Sequence, residues 1–150
     1  MELVLDTNII LDHLENREGF SQLARKICLL GITGEATTYI TVNMFTDLHY
    51  LLTKSFGSQT AQEMIEANLS YLHPLGITAD DAKAALAKRW DDFEDCLLAQ
   101  CAAKIKADYI ITRNTKDFTQ SPVPAITPTE LFNMLQAQGY TYEEITLDKV

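Results

Sequence analysis

The sequence predicts an α/β fold, with a central, mostly parallel sheet covered by helices on both faces. Three observations carry this. Short apolar or β-branched runs at residues 3–5, 37–42, 72–77, 109–112 and 122–126 alternate with longer stretches of helical period through the 150 residues. Parallel strands joined by right-handed crossovers bring all their carboxyl ends to one edge. The first run and the fourth pass straight into polar residues, Asp6 and the loop 113–117, so both belong to the edge where open α/β sheets bind ligands.

The elements follow in order. Residues 3–5 are an apolar strand that delivers Asp6, and Thr7 and Asn8 make a turn in which Asn8 caps the helix carrying Ile9, Ile10 and Leu11. Phe20, Leu23, Ala24, Ile27 and Leu30 are spaced for a second helix, closed by Gly31 to Gly34. After the strand at 37–42, Asn43 offers a cap to a helix with Met44, Leu48, Leu51 and Leu52 on its apolar side and Asp47 one turn in. Gly57 and Ser58 interrupt the chain before a helix over 60–71. Pro74 and Gly76 make 72–77 a weak strand suited to a sheet edge. Thr78 caps an alanine-rich helix over 79–89, and 94–107 reads as the clearest helix, with Leu97, Leu98, Cys101, Ala102 and Ile105 on one face. The strand at 109–112 ends in a turn-forming loop. A last strand at 122–126 leads into a helix opened by Thr127-Pro128-Thr129-Glu130. One domain over 1–139 and a tail over 140–150 are expected.

Composition narrows the class. Cys28, Cys96 and Cys101 are odd in number and lack metal or redox spacing, so reduced, buried thiols are expected. With no apolar run near the ~20 residues of a membrane span and no basic leader, a cytoplasmic protein is expected. Twenty-one acidic residues against 12 basic ones give a net charge of −9, opposite to the usual footprint of a nucleic-acid binder. That objection lapses where carboxylates converge on divalent cations, which reverse the local sign.

Such a convergence is predicted. Asp6, Asp47, Asp92 with Asp95, and Asp117 all fall where the ligand edge can gather them. Asp92 and Asp95, three apart, lie on one helix face, or else Asp92 caps the helix; Asp91 and Glu94 share the capping-box spacing. Oxygen donors without zinc-type histidine or cysteine spacing suit Mg²⁺ or Mn²⁺. Thr112 is placed to orient water or phosphate, and Asn114 to ligate through its carbonyl or only to turn the chain.

Leu5-Asp6-Thr7-Asn8-Ile9-Ile10-Leu11-Asp12, Phe45-Thr46-Asp47-Leu48, Asp92-Phe93-Glu94-Asp95-Cys96-Leu97-Leu98-Ala99, Ile111-Thr112-Arg113-Asn114 with Asp117-Phe118, and the ending Ile126-Thr127-Pro128-Thr129-Glu130-Leu131-Phe132 together resemble a PIN domain. The resemblance implies a three-layer α/β/α sandwich and a Mg²⁺- or Mn²⁺-dependent endoribonuclease cleaving RNA. In prokaryotes such a protein is often the VapC-type toxin of a type II toxin–antitoxin pair, a homodimer restrained by a small antitoxin. Carried over by position, Asp6 and Asp95 match the family's most dependable metal ligands; with Asp47 and Asp92 they make the expected metal set, and Asp117, Thr112 and Asn114 join Asp6, Asp47 and Asp95 in the expected catalytic set. Two departures stand out. Asp47 lies where the family more often has glutamate, and Asn114 lies where many members carry a fourth acid, a part that Asp117 is available to fill.

Competing readings are a PIN-like module of weakened or lost catalysis that binds protein or RNA, and another Mg²⁺ enzyme on a similar sheet. A phosphohydrolase calls for a second aspartate where Asn8 stands. His13, His49 and His73 receive no role. Arg113 and Lys116 are weighed as phosphate contacts against a solvated loop, Trp90 and Phe93 as base-stacking residues against burial, and Phe45, Tyr50 and Leu51 as partner surface against core.

Overall fold

The computed structural model describes residues 1–142. Strand β1 (Glu2–Leu5) and helices α1 (Thr7–Leu14) and α2 (Ser21–Thr33) open the chain; β2 (Thr37–Thr41), α3 (Met44–Phe56), α4 (Ser58–Asn68) and β3 (Leu72–Leu75) follow. Then come α5 (Ala79–Lys88), α6 (Phe93–Lys104), β4 (Tyr109–Ile111), a 3-10 turn (Thr115–Phe118), β5 (Ala125–Ile126) and α7 (Pro128–Ala137). Every strand pair is parallel, and the sheet order is β3-β2-β1-β4-β5.

That order explains both the layers and the location of a site. Progress from β1 to β3 runs one way across the sheet, and the chain then returns past β1 to lay down β4 and β5. Right-handed crossovers in opposite directions put their helices on opposite faces, which gives three layers. The reversal lies between β1 and β4, where Leu5 pairs with Ile111. Strands that diverge there leave a crevice at their carboxyl ends. Leu3, Val4 and Leu5 are at most 1 % exposed, as a continuous apolar run in a doubly covered central strand requires.

Several local expectations are corrected. Asp6, not Asn8, caps α1, its Oδ1 accepting from the Thr7 N–H at 2.7 Å. The helix begins two residues sooner than the apolar pattern suggested, so Asn8 lies in the first turn, where its side-chain amide donates to Asp6. Asn43 occupies the cap position of α3 in a helical conformation and makes no side-chain cap bond. Helix α2 continues through Gly31 to Thr33, and glycine stands at 31 for packing, since a side chain there would meet Thr38 Oγ1 at 2.7 Å; Gly34, at φ +76°, supplies the left-handed ending. Helix α6 runs 93–104 and the last strand is only Ala125–Ile126. The edge position of β3 agrees with Pro74, and full capping boxes at Thr78/Asp81 and Thr127/Glu130 start α5 and α7.

All three cysteines are free and buried. Among the described residues no helix is long and apolar enough to cross a membrane. From residue 143 the expected tail lies outside the described residues. Tyr142, just before, is half-buried: it packs edge-on against Phe132 at 5.6 Å and donates to Glu35.

Candidate active site

The β1–β4 crevice is built around Asp6. Its backbone N–H is held by the Ile111 carbonyl at 2.9 Å, so the residue's position is set by the sheet. Its carboxylate is set by three donors: Oδ1 takes the Thr7 N–H, and Oδ2 takes the Thr112 hydroxyl at 2.8 Å and the Asn8 amide at 3.3 Å. Thr112 is fully buried at the end of β4, its own N–H bonded to Ile126 at 3.1 Å, and its oxygen accepts from the Asn114 N–H at 3.1 Å. One hydroxyl thus ties the first acid to the loop after the fourth strand.

Helix α6 brings the second group. Asp92 is its cap, accepting from the Asp95 N–H at 3.0 Å, so Asp92 and Asp95 share one end of the helix with their separation fixed by the capping geometry. Asp95, in the first turn, is half-buried and its carboxyl is pushed up to about 7, first by desolvation and then by the charges of Asp6, Asp92, Asp117 and Glu94. Asp6 is also raised, by burial above all, with Asp92 and Asp117 adding to it and the Thr112 and Thr7 hydrogen bonds opposing. Glu94 is raised by desolvation and by Asp47, Asp6 and Asp92. Asp92 and Asp117 therefore lie close enough to act on both Asp6 and Asp95, and Glu94 lies beside Asp47 on the first turn of α3.

Glu94 was missed in the sequence, where it read as half of a capping box with Asp91; the cap is Asp92, and that register turns Glu94 toward Asp47. Asn8 was missed as an Asp6 partner because it was assigned to the cap. Asn114 is exposed and makes no side-chain cap, whereas Asp117, in the 3-10 turn one step beyond it, reaches Asp6 and Asp95 by its charge. Arg113, weighed as a phosphate contact, points elsewhere: its Nε lies 3.0 Å from the buried Asp12 and its guanidinium 4.1 Å over the Phe20 ring.

The donor set fits a hard divalent cation. All its ligating atoms are oxygens, Asn8 Oδ1 is buried without a hydrogen-bond partner, and among the described residues no lysine or arginine pairs with Asp6, Asp47, Asp92, Glu94, Asp95 or Asp117. Among the described residues, no three acidic, histidine or cysteine side chains already stand as a ready cage.

A family profile described as PIN domain matches residues 2–116. No curated protein matches the chain. Among solved structures, the chain is similar to VapBC-1 from nontypeable Haemophilus influenzae, at 20 % identity over 86 % of this chain and 99 % of that one with a TM-score of 0.65. It is similar to VapBC2 from Rickettsia felis bound to a promoter DNA fragment, at 21 % identity over 85 % and 98 % with a TM-score of 0.62. It also resembles Mycobacterium tuberculosis VapC20, a sarcin–ricin loop cleaving toxin, at 15 % identity over 72 % and 86 % with a TM-score of 0.59.

Proposed function

Because the chain belongs to the PIN-domain family, we propose that it is a Mg²⁺- or Mn²⁺-dependent endoribonuclease and the toxin of a type II toxin–antitoxin pair. The observation that carries this is the gathering of Asp6, Asp95, Asp92, Asp117 and, through Glu94, Asp47 at the crevice between β1 and β4, where burial and neighbouring charge raise Asp6, Glu94 and Asp95 and, among the described residues, no lysine or arginine pairs with these acids. Maintaining that arrangement costs stability, and a site that binds divalent cations and phosphate explains the cost.

The proposed ligands are Asp6, Asp47, Asp92 and Asp95, with Asp117 in place of the acid that Asn114 lacks. A bound divalent ion supplies a polarised phosphoryl oxygen and an acidified water. The chain's own residues do the rest. Thr112 and Asn8 hold Asp6 in one orientation, and the Asp92 cap fixes Asp95 in the first turn of α6. The similar VapBC structures are toxin–antitoxin pairs, which supports an antitoxin partner here. Exposed Tyr50 and the groove of about 610 Å³ between α3 and α4, lined by Phe45, Ile65 and Leu69, are apolar surface for that partner or for a second copy.

The test is cleavage of structured RNAs by antitoxin-free protein with Mg²⁺, Mn²⁺ or chelator, comparing wild type with Asp95→Asn. Metal-dependent cutting that vanishes in the variant supports the reading. Cutting equal in both sinks the site assignment, and no cutting by the folded wild type favours the binding module, for which Asn114 is the specific argument.

A further inference from the structure

Beside the acids, the α5–α6 connection and the 3-10 turn enclose a cavity of about 160 Å³ whose lining includes Trp90, Asp91, Asp92, Lys116, Asp117 and Gln120. It is small against sites for drug-sized molecules and suits one flat ring. Two of its walls, Asp92 and Asp117, belong to the acidic cluster, so whatever enters it lies next to the proposed point of cleavage.

The lining has the parts of a nucleotide site. Trp90 is half-buried, its indole backed edge-on by Phe118 at 6.5 Å and 78°, and Phe118 is itself only 3 % exposed. A ring fixed from behind is a stacking surface that loses little freedom on binding. Lys116 is exposed and, although three carboxylates share its cavity, forms no ion pair among the described residues. On a chain of net charge −9, that cation is placed for a phosphate. Asp91 is exposed and accepts no hydrogen bond from the described residues, which leaves two carboxylate oxygens side by side. Asp92, in contrast, spends one oxygen on the helix cap.

Resting on the nuclease reading of the neighbouring acids, we propose that this cavity receives one unpaired base of the RNA strand next to the cut bond and prefers guanine. The chemistry of the edges selects it. Guanine offers N1–H and N2–H₂ as two adjacent donors, matching both oxygens of Asp91. Adenine and cytosine set a single amino donor beside an acceptor that a carboxylate repels, and uracil flanks one N–H with two carbonyls. The edge read is the one a duplex hides, so the base must be unpaired. Lys116 takes the phosphate of the same nucleotide and reads no sequence.

Trp90 is the chain's single tryptophan, so its emission reports the cavity directly. The full-length protein, with Ca²⁺ replacing Mg²⁺, is titrated with uridine oligomers that are uniform or carry one guanosine, adenosine or cytidine. Tryptophan emission and the polarisation of end-labelled oligomers are read together. The guanosine oligomer is expected to bind about tenfold tighter than the others and to change the emission saturably. Asp91→Asn, at an exposed residue without bonds to lose, should bring it to the uridine level, and Lys116→Ala should weaken all four alike. Equal affinities, binding without an emission change, or no binding overturn the proposal. Cleavage of the same oligomers with Mg²⁺ separates the two readings: guanosine-selective binding without cutting sinks the nuclease and keeps the cavity, while cutting without selectivity does the reverse.

Discussion

Helix α1 has an aspartate near each end, and the two are treated in opposite ways. Asp12, 1 % exposed near the carboxyl end, is raised by burial yet answered by Arg113 at 3.0 Å and Arg17 at 3.6 Å, whose charges pull it back down. Asp6, at the amino end, is also raised by burial, but only neutral donors hold it and its charged neighbours, Asp92 and Asp117, push the same way as burial. A buried carboxylate that has cations is part of the scaffold. One that has hydrogen bonds for direction and more carboxylates for company is held ready for something from outside. The Asp12–Arg113 pair also anchors the residue that follows Thr112, so the scaffold acid steadies the loop serving the other one.

The contrast breaks most sharply at Asp95. Asp95→Asn is expected to reduce metal-dependent RNA cleavage by more than about 10³-fold, beyond the 10–100-fold typical of outer-shell partners, with no loss of stability in urea unfolding. Next in size, Asp12→Ala strands Arg113 and should lower unfolding stability by about 3 kcal/mol, while activity per folded molecule stays within about threefold. A comparable collapse of activity would show that the two regions are one. Third, Mn²⁺ at 100 times its Kd should stabilise the wild type by about 2.7 kcal/mol in thermal unfolding, and this gain should disappear in Asp95→Asn and persist in Asp12→Ala.

The smallest effect concerns a third acid, Asp81, which accepts from Lys104 at 2.9 Å and, as the capping-box partner of Thr78, from the Thr78 N–H at 2.9 Å, contacts that hold its carboxyl below the ordinary 3.8. With the folded pKa lowered, its contribution is present above the ordinary value and is lost as pH falls below it. Asp81→Ala should cost about 1 kcal/mol at pH 7 and little in strong acid, read from urea midpoints at both pH values.

Much of the fold was legible because it rests on local rules. Leu3-Val4-Leu5 ran straight into Asp6 as a buried strand does, and Thr78 and Thr127 announced their helices through residues three positions on. Misreadings arose where two residues compete for one role. Asp6 and Asn8 both cap well, and the sheet decided by fixing the Asp6 backbone on Ile111. Asp91 and Asp92 both had a partner three residues on, and the choice of Asp92 moved Glu94 into the acidic neighbourhood.

The sequence by itself determined the element types, the family and which acids stand at the ends of strands and helices, since periodicity, capping and motif spacing are written within a few residues of each position. Only the tertiary structure decided that the reversal lies between β1 and β4, that Thr112 bonds Asp6 from 106 residues away, that Arg113 turns to Asp12, and that Trp90 and Lys116 share a cavity. The physical reason is range. Local signals are set by backbone dihedrals and nearest turns, whereas the balance between a paired and an unpaired buried charge depends on which distant segments the sheet order brings together.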